Sequence, residues 1–226
     1  MSRKDHFRML WLVCFCLLVL AGTVPKAGAF QLGARETPEW IQRLEAPDRL
    51  ASLKTEQVIS RLNLKPGMIV ADIGAGTGAF SRPLAKAVAP GGKVYSVDIQ
   101  QGLLDYINQR AKKEKIENIQ TVLGQFDDPK LPVHDVDLAL INDVLHHIEH
   151  RSLYLKALAT YLKPTGRIAL IEMDKNDPNT PHKNEPEMLV AKDDANQWMA
   201  AAGLRPVQEF NDLFPGTKWF IIYGRK

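Results

Sequence analysis

Short apolar runs alternate with helical patterns along most of the chain. Strand-like runs of apolar and β-branched residues occupy positions 68–73, 94–100, 119–123, 138–141, 168–171 and 219–223. Apolar residues recur at helical spacing over positions 80–88, 103–115, 153–162 and 193–202. Because strands that alternate with helices form parallel sheets covered on both faces, the pattern predicts an α/β fold with a doubly wound, mostly parallel sheet.

The segment before the first strand has a different character. Two stretches with helical spacing precede that strand, with a break near Pro47 and a stop at Pro66-Gly67. We therefore expect an amino-terminal helical lead-in over residues 30–66. The length of the remaining chain suits one hydrophobic core, so residues 67–226 are predicted to form a single domain.

The first predicted strand runs directly into a glycine-rich loop. Asp72 stands near the end of this strand, and Gly74, Gly76 and Gly78 follow it. A carboxylate at the carboxyl end of a central strand lies where open α/β sheets bind ligands. Glycines at these positions permit a tight turn and let backbone N–H groups approach a ligand at the start of the next helix. The junction therefore predicts a nucleotide-binding site.

A second acidic residue supports that interpretation. Asp98 ends the second predicted strand about 20 residues after the loop, where nucleotide-binding folds place the carboxylate that holds the ribose hydroxyls. The run from Gly74 to Ala79 also fits the dinucleotide fingerprint, so an NAD-dependent oxidoreductase is one alternative. Against that alternative, the sequence shows no tyrosine–lysine pair for hydride transfer and no second nucleotide-binding half.

Beyond these residues the chain resembles the class I S-adenosylmethionine-dependent methyltransferases. Their first motif, an acidic residue followed by three glycines at alternate positions, is matched throughout from Asp72 to Gly78. The resemblance continues through Asp98 and through residues 123–132, 136–148 and 162–174. It implies a seven-stranded sheet with an antiparallel strand near the carboxyl end, S-adenosyl-L-methionine as the methyl donor, and methyltransferase activity.

The resemblance also implies roles in cofactor binding. The glycine loop would take the methionine end and the sugar, and Asp72 would face the ammonium group or a water bound to it. Adenine would lie near Ile99 and Gln125. Members of the family often carry an acidic residue where Gln125 stands, so Asp127 or Asp128 is an alternative partner for adenine. The competing interpretation places both acids in a solvated turn.

The amino-terminal helices also have two possible roles. In similar methyltransferases, helices before the first strand lie over the cofactor and help to shape the acceptor pocket. The alternative is that Trp40, Ile41 and Leu44 only cover one end of the sheet. The spacing of the apolar residues favours neither role over the other.

The segment after the fourth predicted strand is the candidate acceptor region. It contains Asn142 and Asp143, which the resemblance also implies to contact the cofactor, followed by two adjacent histidines, His146 and His147. In the family, this motif lies beside the transferring methyl group. Either histidine could act as a general base, since imidazole titrates near neutral pH, or could cap the loop. The segment lacks the Asn/Asp-Pro-Pro-aromatic signature of enzymes that methylate amino groups of bases, which argues against a nucleic-acid acceptor.

The first 29 residues predict an export signal. A positively charged start precedes the unbroken apolar run 10–20, and Ala27-Gly28-Ala29 offers small residues for cleavage. We therefore expect a signal peptide over residues 1–29 and an extracytoplasmic protein, either periplasmic or secreted. The apolar run has 11 residues, whereas a membrane span needs about 20, which favours a cleaved signal peptide over a stable anchor. A retained anchor is the alternative.

Composition narrows the range of partners. Beyond the predicted leader, 25 of the 29 basic residues and 25 of the 26 acidic residues remain, so the domain has no net charge to attract nucleic acid. Both cysteines, Cys14 and Cys16, lie in the leader, which excludes a disulfide or a thiolate site from the domain. The close histidines from His146 to His150 fall in a predicted loop rather than on a helix, so no metal site is expected.

These features favour a methyltransferase that acts on a small-molecule or lipid-like acceptor, with membrane association through the amino-terminal segment as a further expectation. An alternative of another class is a non-catalytic protein that binds S-adenosylmethionine or S-adenosylhomocysteine. The predicted export signal supports that alternative, because the methyl donor is made inside the cell.

Overall fold

The computed structural model describes residues 36–180 and 182–225, which contain seven α-helices and seven strands. The helices are α1 (Thr37–Leu44), α2 (Pro47–Ser52), α3 (Thr55–Arg61), α4 (Ser81–Val88), α5 (Gln101–Glu114), α6 (Arg151–Thr160) and α7 (Lys192–Ala201). The strands are β1 (Ile69–Ile73), β2 (Lys93–Asp98), β3 (Ile119–Leu123), β4 (Val136–Asn142), β5 (Leu162–Met173), β6 (Arg205–Phe210) and β7 (Lys218–Gly224). Two 3₁₀ turns, Leu145–His147 and Pro186–Met188, follow β4 and β5.

The strands form one sheet in the order β3-β2-β1-β4-β5-β7-β6. β1 to β5 pair in parallel, whereas β7 runs antiparallel to both of its neighbours. The strand order reverses between β1 and β4, and open α/β sheets bind ligands at the carboxyl ends of the strands at such a point. The predicted doubly wound, mostly parallel seven-stranded sheet is confirmed.

Alternate residues of the central strands face opposite apolar layers. In β1, Ala71 and Ile73 enter one buried cluster and Val70 enters the other. The first layer is completed by α6 and α7, and the second by α3 and α4. Because helices cover both faces of the central strands, these strands appear in the sequence as short continuous apolar runs.

The lead-in contains three short helices where two segments were predicted. Pro47 is the first residue of α2, and Lys54 separates α2 from α3 in a left-handed conformation with φ of 47°. Proline lacks an N–H group to continue the preceding helix, so α1 ends before it. Leu53, Val58 and Leu62 are buried and anchor this region to the core.

β5 is longer than the predicted strand at 168–171. Leu162 pairs with Val136, and pairing resumes at Arg167 opposite Leu138 after a shift in register. The irregularity in the ladder accommodates Pro164 and Gly166, which lie between these two pairs. The four helices predicted after the first strand agree with the observed bounds to within two residues at each end.

The predicted signal segment, residues 1–29, lies outside the described residues. Its cleavage and the extracytoplasmic location therefore remain predictions. In the described ranges, no helix combines the length and the apolar character needed to cross a bilayer.

Candidate functional site

A cavity opens at the carboxyl ends of β1, β2 and β4. The glycine loop between β1 and α4 forms its floor, and α1 and α2 contribute one wall. The cavity therefore lies at the point of the sheet where the strand order reverses. The predicted residues that line it are Asp72, Gly74, Gly76, Asp98, Ile99, Gln125, Asn142, Asp143 and His147.

The glycine loop requires glycine for two separate reasons. Gly74 and Gly76 adopt φ of 67° and 56°, in the left-handed region where a side chain is strained. A Cβ on Gly74 would also fall 2.3 Å from Cγ2 of Val144, and a Cβ on Gly76 would fall 3.0 Å from Cδ1 of Leu44. The loop is thus pressed against the residues after β4 and against α1.

Asp98 connects the end of β2 to this loop. Its Oδ2 accepts a hydrogen bond from the N–H of Gly76 at 2.9 Å, and its Oδ1 accepts one from the N–H of Gln100 at 3.0 Å. Burial raises the pKa of Asp98, while the backbone hydrogen bonds from Gln100, Gly76 and Ile99 act to lower it. The carboxylate lies in the cavity beside the glycine loop, in the position from which it could accept hydrogen bonds from ribose hydroxyls.

Asp72 ends a buried chain of hydrogen bonds. The Ser96 hydroxyl donates to Oγ of Ser81 at 2.8 Å, and the Ser81 hydroxyl donates to Oδ2 of Asp72 at 2.6 Å. Burial raises the pKa of Asp72 to about 6; the hydrogen bond from Ser81 opposes this rise and the nearby Asp98 carboxylate adds to it. A cation bound beside Asp72 would favour its charged form.

Three buried oxygen atoms of cavity residues have no hydrogen-bond partner in the described part of the chain. They are Oγ1 of Thr77, Oδ1 of Asn142 and Oδ1 of Asp143. A buried polar atom left without a partner costs about 1–3 kcal/mol, so native proteins rarely keep one without a reason. The amide and carboxylate oxygens can only accept, and they fit a ligand with N–H or O–H donors. S-adenosylmethionine carries such donors on its ammonium group and ribose.

Charged residues converge on Asp143, which lines the cavity. Its Oδ2 forms a salt bridge with Lys218 of β7 and accepts a hydrogen bond from Nδ2 of Asn142 at 3.3 Å. Arg49 of α2 also lines the cavity, and its Nη1 donates to the carbonyl of Leu44 at 3.1 Å. Burial lowers the pKa of Arg49, whereas attraction to Asp143 raises it. This end of the cavity therefore offers both a cation and an anion, which suits the zwitterionic end of an amino acid.

The candidate adenine site lies at the end of β3. Ile99 and Gln125 line it together with Leu103 and the partly exposed Phe126. The N–H of Gly124 donates to the backbone carbonyl of Asp98 at 2.9 Å, which fixes this segment next to the Asp98 carboxylate. The predicted neighbourhood of Ile99 and Gln125 is thus one wall of the same cavity.

Gly78 and Asp127 were predicted to contact the cofactor, but neither lines the cavity. Gly78 lies under the loop, where a Cβ would fall 3.1 Å from Cγ1 of Ile107 in α5, so its role is close helix packing. Asp127 is exposed, and the neighbouring Asp128 accepts a hydrogen bond from the Tyr161 hydroxyl at 2.8 Å. The solvated-turn interpretation of the two acids fits this geometry, and an adenine contact does not.

The two candidate histidines have different surroundings. His147 lines the cavity, whereas His146 is buried outside its lining. Nδ1 of His146 lies 2.6 Å from Oε1 of Glu172, and the backbone N–H of His146 donates to Oε2 of Glu172 at 3.2 Å. Direct contact between His146 and an acceptor is therefore not supported, and His147 keeps the candidate catalytic role. In the described part of the chain, no group of three or more His, Cys, Asp or Glu side chains is arranged to hold a metal ion.

For the wall that the lead-in contributes to the cavity, the sequence pointed to Trp40 and Leu44 but not to Arg49 or Leu53. Trp40 and Leu44 of α1, Arg49 of α2 and the adjacent Leu53 all line the cavity. The interpretation that these helices only cover one end of the sheet is therefore incomplete. Helical spacing shows which residues share a face, but it does not show which cavity that face closes. Only the family resemblance pointed to this wall.

Comparison with known proteins gives a consistent assignment. The sequence profile of a family described as a methyltransferase domain matches residues 64–204, more than half of the chain. The chain is 26% identical over 117 residues to a demethylmenaquinone methyltransferase of Geobacillus sp. (strain WCH70), covering 52% of this chain and 50% of that protein. It is 31% identical over 121 residues to the ubiquinone/menaquinone biosynthesis C-methyltransferase UbiE of Burkholderia multivorans (strain ATCC 17616 / 249), covering 52% and 48%. The chain thus spans about half the length of these curated relatives.

A solved structure shares the fold. The crystal structure of a SAM dependent methyltransferase from Aquifex aeolicus superposes with a TM-score of 0.73 at 23% identity, covering 84% of this chain and 98% of that chain. The glycine loop and the two acids at the ends of β1 and β2 lie within residues 64–204, the range that the family profile matches. The chain therefore belongs to the methyltransferase-domain family, and it shares the fold of that crystal structure.

Proposed function

We propose that this protein transfers a methyl group from S-adenosyl-L-methionine to a small, apolar, lipid-like acceptor. The observation that carries the proposal is the cavity at the end of β1. The glycine loop and Asp98 line this cavity. Asn142 and Asp143 line it too, and each has a buried acceptor oxygen without a partner in the described part of the chain. The family supplies the donor, and the walls of the cavity support the class of acceptor.

The residues present fit the donor along the whole cavity. Gly76 and Asp98 would hold the ribose, and Ile99 would contact the adenine. Asp143 and Arg49 would face the ammonium and carboxylate groups of the amino-acid end, since each offers the opposite charge. When bound, the donor supplies a methyl group activated by a positively charged sulfur.

The remaining wall of the cavity is mainly apolar and supports an apolar acceptor. Its residues are Trp40, Leu53, Phe80, Val144 and Ile148. Burial of apolar surface contributes about 25 cal/mol per Å², which favours a hydrophobic acceptor over a charged one. The two curated relatives are named for demethylmenaquinone and for ubiquinone/menaquinone biosynthesis. A lipid-linked aromatic acceptor of that kind suits this wall.

Catalysis would depend mainly on positioning. Methyl transfer requires the acceptor to meet the methyl group in line at near-attack distance, so rigid binding of both partners lowers the barrier. Trp40 and Leu53 would exclude water from the cavity, and the loop contacts of Gly74 and Gly76 would hold the floor fixed. His147, whose ring lines the cavity, would accept a proton from the acceptor.

Two measurements on the full chain test the proposal. Calorimetry with S-adenosylmethionine, S-adenosylhomocysteine and NAD is expected to show binding of the first two and none of NAD. Labelled S-adenosylmethionine should then methylate reduced demethylmenaquinone with a short side chain. Binding of NAD alone would favour the oxidoreductase alternative. Binding of the donor without methyl transfer to this acceptor or to extracted lipids would favour a non-catalytic binding protein.

A further inference from the structure

Three histidine rings form a cluster beside the cavity. The ring centroids of His146 and His147 lie 4.1 Å apart, and that of His182 lies 5.3 Å from His146 and 6.4 Å from His147. His146 and His147 belong to the turn after β4, whereas His182 comes from the segment between β5 and α7. We call these three residues the histidine cluster. Two segments distant in sequence thus bring three imidazoles together next to the acceptor region.

Carboxylates orient two of the three rings. Nδ1 of His146 lies 2.6 Å from Oε1 of the buried Glu172, and Nδ1 of His182 lies 2.6 Å from Oε2 of the exposed Glu185. An ionised carboxylate can only accept a hydrogen bond, so Nδ1 carries the hydrogen in both rings. In the neutral imidazole the other nitrogen, Nε2, is then free of hydrogen and can receive a proton. Both rings are thus held in a form that can take up a proton.

The cluster extends from the cavity to solvent. His147 lines the cavity, and the side chain of His146 is only 2% exposed. The side chain of His182 is 20% exposed, and that of its partner Glu185 is 56% exposed. The centroid separations of 4.1 Å and 5.3 Å are short enough for one water molecule to bridge the ring nitrogens of neighbouring imidazoles. A continuous series of titratable groups therefore connects the acceptor region with bulk water.

We propose that the histidine cluster carries the acceptor's proton from the cavity to solvent, with His147 as the first acceptor and His182 as the exit. This inference rests on the proposed function. Methyl transfer to an O–H, N–H or C–H position releases one proton for each methyl group. The new bond to carbon replaces a bond to hydrogen, and the electron pair of the broken carbon–sulfur bond stays on sulfur. The mainly apolar wall around the acceptor cannot hold that proton, so the proton needs a route outward.

Other charged groups around the cluster suit this role. Arg151 of α6 donates from Nη2 to the carbonyl of His146 at 3.0 Å and interacts electrostatically with Glu172. Glu172 also accepts a hydrogen bond from the N–H of Met173 at 3.2 Å. The negative charges of Glu172 and Glu185 stabilise a proton passing over His146 and His182, and the cation of Arg151 opposes its retention. The proton is thus attracted to the cluster without being trapped in it.

Nuclear magnetic resonance tests the relay without any acceptor. The chain has six histidines, so the ¹⁵N signals of their rings can be assigned by single substitutions. We expect His182→Gln to move the titration midpoint of His147 or His146 by at least about 0.5 pH, because interacting sites titrate together. His134→Gln is the matched control, since that ring stacks on Tyr161 outside the cluster. Midpoints that do not move in His182→Gln would overturn the relay.

Kinetics with reduced short-chain demethylmenaquinone gives the second readout. We expect His182→Gln to lower kcat about tenfold and His147→Gln to lower it about 100-fold, with the affinity for S-adenosylhomocysteine unchanged and with partial rescue by added imidazole. His134→Gln should keep the wild-type kcat. Wild-type kcat in His182→Gln would overturn the relay. Absence of transfer by the wild-type protein would overturn the proposed acceptor instead, and the magnetic resonance result would still decide whether the three rings titrate as a coupled group.

Discussion

The Asp98 carboxylate accepts a hydrogen bond from the Gly76 N–H at 2.9 Å, so the end of β2 and the glycine loop hold each other in place. These two residues are 22 positions apart in the chain, yet both line the same cavity. A ligand between them would meet a carboxylate and a backbone bend whose relative position is already set. Such preorganisation lowers the entropy cost of binding.

Replacement of Asp98 by asparagine is expected to weaken the binding of S-adenosylhomocysteine by about 30-fold, equal to about 2 kcal/mol. The reason is that an amide accepts hydrogen bonds from ribose hydroxyls and from the Gly76 N–H less strongly than a carboxylate does. Calorimetry measures the change. Asp127→Asn serves as the control because Asp127 is exposed and outside the cavity. Unchanged affinity in Asp98→Asn would remove Asp98 from the ribose site.

Alanine at Gly74 is expected to lower the free energy of unfolding by about 3 kcal/mol, from left-handed strain and overpacking together. The added Cβ would fall 2.3 Å from Val144 Cγ2. Gly67→Ala is a matched control, since Gly67 also has positive φ but has no atom within 4 Å of its added Cβ. It should cost about 1 kcal/mol. Urea unfolding compares the two, and equal losses would show that the contact with Val144 is unimportant.

Asp72 should make stability depend on pH. Burial raises its pKa from 3.8 to about 6 in the folded state, so folding favours the protonated carboxyl group. This contribution is fully present below about pH 4 and is lost as the pH rises through about 6, a change of about 3 kcal/mol. The stability of Asp72→Asn relative to the wild type should therefore rise by that amount from pH 4 to pH 7.5. A pH-independent difference in urea unfolding would contradict the buried-acid assignment.

Removal of one partner of the buried His146–Glu172 pair should be costly. His146→Ala is expected to lower the free energy of unfolding by about 3–5 kcal/mol, because it leaves the fully buried Glu172 without its imidazole partner. The double variant His146→Leu/Glu172→Met should be more stable than His146→Ala, since it removes the buried charge as well. Lys192→Ala, which breaks the more exposed pair with Glu209, should cost less than about 1 kcal/mol.

Arg49 is expected to recognise the amino-acid end of the cofactor. Arg49→Gln should weaken binding of S-adenosylhomocysteine by about tenfold, equal to about 1.4 kcal/mol, and should leave binding of adenosine unchanged. Arg43→Gln is the control, because Arg43 is an exposed arginine of the neighbouring helix and does not line the cavity. Equal loss of affinity for both ligands would place the Arg49 contact at the nucleoside instead.

Local patterns in the sequence were sufficient to predict the floor of the site. Asp72, Gly74 and Gly76 lie within five consecutive residues, and the turn they form depends mainly on their own backbone preferences. Asp98 was predictable because a strand and a helix of ordinary length separate it from the loop. Each of these residues lines the cavity in the structure.

The walls could not be predicted in the same way, because they depend on contacts between distant segments. Neither spacing nor composition marks Arg49 as a cavity residue, and its position follows from how α2 lies over the loop. The choice between His146 and His147 depends on a single 3₁₀ turn and on Glu172, 26 residues further along the chain. The sequence alone does not distinguish Asp127 from Asp128 as a partner for adenine. The hydrogen bond from the Tyr161 hydroxyl to Asp128, which only the structure shows, gives Asp128 a structural role.

The helices α1 and α2 contain no fully buried residue, although Trp40, Leu44 and Arg49 face the cavity. These two helices are therefore anchored mainly through the buried residues that follow them, Leu53, Val58 and Leu62, and a seated adenosyl ligand would complete the surface against which they rest. If these helices close over the bound product, their movement away from the cavity would set the rate of its release. Substitutions that loosen or tighten their packing should then change turnover without touching the methyl group.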